Sequence, residues 1–220
     1  MLAAQGLDPI TLFLVLLTLG LLPFAAMVVT SYTKVVVVLG LLRNALGVQQ
    51  VPPNMVLNGI AIIISAYVMA PVVMEASDRL QATPQGTEAS GTQQMLAAAA
   101  AAREPFRQFL IKHAKPAEKA FFLKSAKDVW PPERSAMLHQ DDLIVVAPAF
   151  LLTELTEAFR IGFLLYLAFI VVDLVIANVL LAMGLSQVQP THVAIPFKLL
   201  LFVVLDGWSK LVYGLVLTYR

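Results

Sequence analysis

The stretch GFLLYLAFIVVDLVIANVLLAMG, Gly162 to Gly184, decides how the chain is read. It exceeds the roughly 20 apolar residues that a membrane-crossing helix needs. It also carries one carboxylate, Asp173, close to its centre. A charge at that depth costs about 2.5–3.5 kcal/mol on insertion scales, so its presence asks for a partner.

The rest of the chain has the same character. Of its 220 residues, 59% are hydrophobic and 13% charged, with a mean hydropathy of +0.81. A soluble domain carries about 45–50% apolar and about 25% charged residues, so composition alone places this chain among membrane proteins. A net charge of +1 with no basic patch gives a nucleic-acid partner no support. The absence of cysteine excludes a disulfide framework and a thiolate metal site.

Three more stretches approach spanning length. They are Ile10 to Val29, interrupted by Pro23; Met55 to Met74, with Pro71 near its end; and Val193 to Leu217, which contains Lys198, Asp206 and Lys210. A shorter apolar run covers Lys34 to Val48. The start MLAAQGLDPI has no positive n-region, and its apolar run exceeds the usual signal core, which predicts a retained helix. Between Glu75 and Asp142 the composition changes, with nine basic and nine acidic residues. Thr83 to Gln94 reads as a flexible loop, MLAAAAAAREPF as a helix, and Pro116 and Pro131 are placed to open and to stop another. The expectation is an all-α integral membrane protein with about four long, kinked apolar helices. It divides into a helical hairpin over 1–74, a polar, partly helical extracytoplasmic insertion over 75–142, and a second helical hairpin over 143–220.

Orientation follows from the short connector Thr30 to Asn54, which carries Lys34 and Arg43 and no acid. The positive-inside rule makes these two residues cytoplasmic-side anchors and puts the N-terminus, the insertion and the C-terminus outside.

Charges inside the apolar segments are the candidate functional residues. Asp173 has no basic residue at i±3 or i±4, and Lys198, early in the next segment, is the candidate partner, within one chain or between copies. Asp206 and Lys210 stand at i,i+4 with the acid first, the order that favours a local pair. In TELTEAFRIG, Glu154 and Glu157 lie one turn apart and Arg160 follows Glu157 at i+3. That cluster reads either as a solvated helix entrance or as a charge lattice with a neighbouring chain.

Enzymatic chemistry finds no footing. His113, His139 and His192 form no HExxH, and Ser31 and Ser65 have no histidine placed to activate them. Asp173 and Asp206 lack the glycine-rich approach of a membrane aspartyl protease, and no glycine-rich phosphate loop occurs. No catalytic residue, metal or cofactor is expected. The rival reading is a small-solute or proton-coupled secondary transporter with Asp173 as the proton carrier, a class usually built on inverted repeats; no internal repeat is visible.

Several motifs occur together and in order: ALGVQQVPPN over 45–54, EAFRIGF over 157–163, VVDLVIA over 171–177 and PFKLLLFVVLDGW over 196–208. With their surroundings they cover well over half the chain. This pattern resembles the SctR family of type III secretion, which includes flagellar FliP and the YscR and HrcR proteins of injectisomes. The resemblance implies a core subunit of the protein export gate in the bacterial inner membrane. There, about five copies assemble with SctS-like and SctT-like subunits around a pore for unfolded secretion substrates, with much of the apolar surface buried between subunits, partly above the membrane plane. It implies that Glu154, Asp173 and Lys198 tie adjacent copies together. It also implies a pore constriction after the third apolar segment. Many relatives carry a methionine run there; here the connector AMGLSQVQP holds only Met183, with Leu185 nearby. That departure favours the injectisome branch.

Overall fold

The computed structural model of the chain describes residues 9–82 and 91–220. Among the described residues all regular structure is α-helical. In chain order the helices are α1 (Pro9–Val29), α2 (Tyr32–Leu46), α3 (Asn54–Ala82), α4 (Gly91–His113), α5 (Pro116–Val129), α6 (Pro132–Ser135), α7 (Leu143–Ala182), α8 (Pro190–Val204) and α9 (Gly207–Leu217). The loop expected over Thr83 to Gln94 lies mostly outside the described residues, and from Gly91 the chain is helical.

α3 and α7, at 29 and 40 residues, are each long and apolar enough to cross a membrane. The number rises to four if the end of α1 with α2, and α8 with α9, each count as one broken span. The chain is thus an all-α membrane protein. Two expected boundaries move. α7 begins at Leu143, well before the apolar run that starts at Gly162, so Glu154, Glu157 and Arg160 stand inside the helix and not at its entrance. At about 1.5 Å per residue α7 is about 60 Å long, twice the hydrocarbon thickness of about 30 Å. The fourth apolar stretch is broken: α8 and α9 meet at 64°.

That break has a local cause. Asp206 sits in the left-handed region at φ 52, which few residues other than glycine and asparagine tolerate. The following Gly207 has no side chain to spare, since a Cβ there would lie 2.3 Å from the Phe202 ring. The expected side-chain pair between Asp206 and Lys210 does not form, because Asp206 precedes α9. The two residues join through the backbone, the Lys210 amide donating to the Asp206 carbonyl at 3.1 Å.

Packing sorts the chain into two units. One comprises Met1–Thr30 and Met69–Thr153, the other Ser31–Val68 and Glu154–Arg220. In the first unit Phe109, Leu110, Val145, Val146, Ala149 and Phe150 are buried, with Phe109 and Phe150 edge to face at 5.6 Å. Pro116 opens α5, which ends at Val129 before Pro131, as the prolines predict. Thr153 Oγ1 accepts from the Lys115 amide just before α5 and donates to the Ala149 carbonyl.

In the second unit the core forms where Val35, Val38 and Leu39 of α2 meet Leu57, Ala61 and Ile64 of α3, Ala158 of α7 and Leu215 of α9. A second cluster joins Leu42, Ala45 and Leu46 to Phe169 and Phe202. α2 and α7 approach closely at Gly162, where a Cβ would stand 2.2 Å from Leu41 Cδ1. The opposite surface of α7 stays apolar and open: Phe163, Leu164, Val171, Leu174, Val175, Val179 and Leu181 are all exposed. So much apolar surface calls for lipid or protein cover.

Candidate functional site

Two lysine–carboxylate clusters lie in the second unit, and both are built from elements far apart in sequence. The first centres on Glu154 of α7. Lys34 lies on the buried stripe of α2 with Val35, Val38, Leu39 and Leu42, and its Nζ meets Glu154 Oε1 at 2.8 Å. The two side chains are 5% and 1% exposed. The Tyr219 hydroxyl donates to Glu154 Oε2, and the Lys34 ammonium stands 4.1 Å over the Tyr219 ring centre. A further bond runs from Lys34 Nζ to Thr218 Oγ1 at 3.3 Å. Nearby in chain, the buried hydroxyls of Ser31 and Ser65 bond to each other at 3.1 Å. The carboxylate, ammonium and hydroxyl thus satisfy one another, as a buried charge requires.

Lys34 was expected as a cytoplasmic-side anchor. At 4% exposure it faces the inside of the fold, because its spacing to Val38 and Leu42 puts it on the apolar face of α2. Arg43 is half-buried in the last turn of α2, where a cation favours the helix dipole. It ties the following turn down, donating to the Pro52 carbonyl at 3.2 Å and to Asn54 Oδ1 at 2.7 Å. That turn begins at Gly47, whose φ of 77 ends α2 in the left-handed manner.

The second cluster answers the question raised by Asp173. Lys198 Nζ of α8 lies 2.6 Å from Asp173 Oδ2 of α7 within the same chain. The ammonium also donates to the Ala45 carbonyl at 3.2 Å. Ala45 belongs to the last turn of α2, whose carbonyls lack helical partners, so Lys198 caps that helix end while pairing with the acid. The exposures differ sharply: 6% for the Lys198 side chain and 46% for Asp173. Asp173 opens on a cavity of about 350 Å³ whose walls include Asn44, Tyr166, Thr191 and Lys198.

Asp173 and Lys198 were expected to pair either within one chain or between copies, and the resemblance implied that they and Glu154 tie adjacent copies. Within the chain Glu154 meets Lys34 and Asp173 meets Lys198, and of the three only Asp173 keeps a substantial open face. Met183 and Leu185, the expected constriction, sit in the cap that ends α7. The Leu185 amide donates to Leu180 O and the Gly184 amide to Leu181 O, with Gly184 at φ 74, the paired-bond pattern of a glycine-terminated helix. Their side chains are exposed, 66% for Met183 and 40% for Leu185.

Sequence reasoning missed Tyr219, Thr218 and the Ala45 carbonyl. Thr218 and Tyr219 lie more than 180 residues from Lys34, and a main-chain acceptor has no residue signature. The burial of Lys34 did have one, its i, i+4, i+8 register with Val38 and Leu42. Among the described residues no group of three or more His, Cys, Asp or Glu side chains is placed to hold a metal ion.

Comparison with known proteins agrees with this architecture. The FliP family matches residues 15–215. The chain is 65% identical over 216 residues to the hypersensitivity response secretion protein HrcR of Ralstonia nicotianae, covering 98% of this chain and 100% of that protein. It is 50% identical over 213 residues to the Yop proteins translocation protein R of Yersinia pestis, covering 96% and 97%. It is 38% identical over 212 residues to the virulence protein YscR of Salmonella typhimurium, again covering 96% and 97%. A match over nearly the full length of both partners, on a fold of kinked apolar helices with charges buried among them, places the chain in the FliP family.

Proposed function

We propose that the chain is a core, pore-forming subunit of a type III secretion export gate of the injectisome branch. In this reading it passes unfolded substrate proteins across the bacterial inner membrane. About five copies would act together with SctS-like and SctT-like subunits, part of the assembly would project into the periplasm, and the insertion over 75–142 would face the extracytoplasmic side. The subunit performs no covalent chemistry. Energy for transport comes from elsewhere in the machine.

The observation that carries this reading is the open apolar surface of α7, continuous from Phe163 to Leu181 and ending at exposed Met183 and Leu185. Such a face needs lipid or protein cover, and beside a half-exposed carboxylate it suits contact with a neighbouring chain. The closed cluster at Glu154 shapes the subunit. The open cluster at Asp173 is the one left to meet another chain, and it sets register while apolar contacts supply most of the association. Met183 and Leu185 of successive copies would form a ring that closes by dewetting and close packing.

The chain has no native cysteine, so a single introduced one reports unambiguously. Met183→Cys in the secretion-competent cell should cross-link to a substrate stalled by a folded C-terminal domain, while Met137→Cys in the insertion, at least as exposed, should not. Equal labelling of both sites, or none at position 183 in a cell that still secretes, would overturn the pore assignment.

A further inference from the structure

The exposed side of α7 is periodic. Leu164, Val171 and Asn178 stand seven residues apart, and Leu167, Leu174 and Leu181 repeat the spacing three residues further on. Steps of three and four residues in alternation are the a and d positions of a helix that packs on another helix. Leucine fills each d position, and the a positions read Leu, Val, Asn. All six residues are exposed. At about 100° per residue this seam lies opposite Phe169 and Ile176, which α7 buries against its own chain. From Leu164 to Leu181 it runs about 26 Å, close to the whole hydrocarbon thickness of about 30 Å. Lipid cover asks for apolar residues but imposes no such period.

One side chain on the seam does not suit lipid at all. Asn178 is exposed, and its amide makes no hydrogen bond among the described residues. At its level α7 packs on α8 through Ile176, Leu180 and Ala194, all apolar. A side-chain amide carries two donors and an acceptor, and hydrocarbon satisfies neither kind. A second Asn178 at the same level satisfies both, because each amide can donate to the other's carbonyl oxygen. A single asparagine at an a position is a device that fixes register between apolar helices. A slip of one heptad would set each amide against Val171 and leave it unpaired. Copies inserted the same way into a membrane present α7 parallel, the arrangement that brings like residues level. Ala168 and Ala182, exposed beside the seam, are small enough to let two backbones approach.

We propose that this seam is a contact between copies of the chain, with α7 packed parallel on α7 and Asn178 facing Asn178. The amides set the register, and the leucines and Val171 supply the apolar area. In a closed ring of several copies the seam faces the common axis, and the Asn178 amides form one level just before Met183 and Leu185. The inference rests on the reading of α7 as the face between copies, and it names the surface and the residue that aligns it.

Disulfide formation between full-length chains tests it, in membranes of cells that still secrete. Val171→Cys and Leu174→Cys, each alone, should join two copies. Val179→Cys, 51% exposed against 53% for Val171 but off the seam, should lose that cross-link. Register is read from a mixture of two tagged copies, one with Leu167→Cys and one with Leu174→Cys. Each should pair with its own kind, and the mixed pair should appear once both also carry Asn178→Leu. Equal cross-linking at 171, 174 and 179 would overturn the seam. So would none at any of them, which would assign the face to lipid, or seam cysteines that join only a different protein. A mixed pair already present beside Asn178, or still absent in Asn178→Leu, would overturn the aligning role. Met183→Cys reports on the pore separately. Seam cross-links lost while position 183 still meets substrate would remove this contact and leave the proposed function standing. Seam cross-links present with no substrate at position 183 would support the contact and overturn the pore.

Discussion

The two lysine–carboxylate clusters differ in one respect that matters more than their similar distances. Glu154 is closed in by Lys34 and Tyr219 and shows almost no surface, whereas Asp173 reaches the same kind of partner with nearly half its side chain open. A closed pair has spent its interactions inside the fold. Its net contribution to stability is small, because desolvation offsets attraction, but half-breaking it is costly. An open pair keeps one side for something else. Charge in an apolar segment therefore marks two different things in this chain, an internal tie and an available contact.

The largest expected effect is at the closed pair. Glu154→Leu leaves the Lys34 ammonium buried against apolar neighbours and should cost about 3–5 kcal/mol, read as loss of unfolding free energy in mild detergent. Pairing it with Lys34→Met should recover most of that loss. A single variant as stable as wild type would show that the pair is hydrated and not closed.

Next comes the packing that closes it. Gly162→Val would drive a Cβ into Leu41 and should cost about 1–3 kcal/mol, relieved in part by Leu41→Ala. An unchanged melting temperature in Gly162→Val would mean that α2 and α7 do not meet as described. The open pair should show an asymmetry that the closed one lacks. Asp173→Ala strands Lys198, which is 5% exposed, at a cost of roughly 1–3 kcal/mol. Lys198→Met leaves a carboxylate that already has an open face, and should cost less. Equal costs would erase the distinction between the clusters.

The smallest effect belongs to a partly exposed pair in the insertion. Arg107 grips both oxygens of Glu104, each at 2.8 Å, and Gln108 adds a third donor. These bonds, the Arg107 guanidinium first, hold the Glu104 carboxyl down to about 2 from its ordinary 4.5. A lowered carboxyl contributes stability that is complete above its unfolded value near 4.5 and is lost as pH falls through about 2. Carbon NMR of the Glu104 carboxyl should therefore show a midpoint near 2 and no change between pH 5 and 7. A midpoint near 4.5 would show the grip to be absent in solution.

Much of this was legible in the residues. The membrane class, the helical character and the helix α5 between two prolines all follow from local rules: apolar run length, propensity and the missing proline amide. The pairing of Asp173 with Lys198 was also within reach, because a lone acid in an apolar helix needs a cation and few are available. Other features were not. That Glu154 sits mid-helix depends on polar TELTEAFR continuing α7, and its burial depends on α2 and Tyr219 covering it. The stop in the last apolar stretch depends on a left-handed Asp206 and on the contact between Gly207 and Phe202, neither of which hydropathy can register.

By itself, the sequence determined what must be hidden: long apolar segments and a handful of charges that each need a partner. Run length and composition act locally, so they can be read locally. Only the tertiary structure decided where each is hidden. Packing groups Ser31–Val68 with Glu154–Arg220 across the polar insertion, bringing Lys34 to Glu154 and the end of α2 to Lys198. Burial depends on which surfaces meet, and chain order does not specify that.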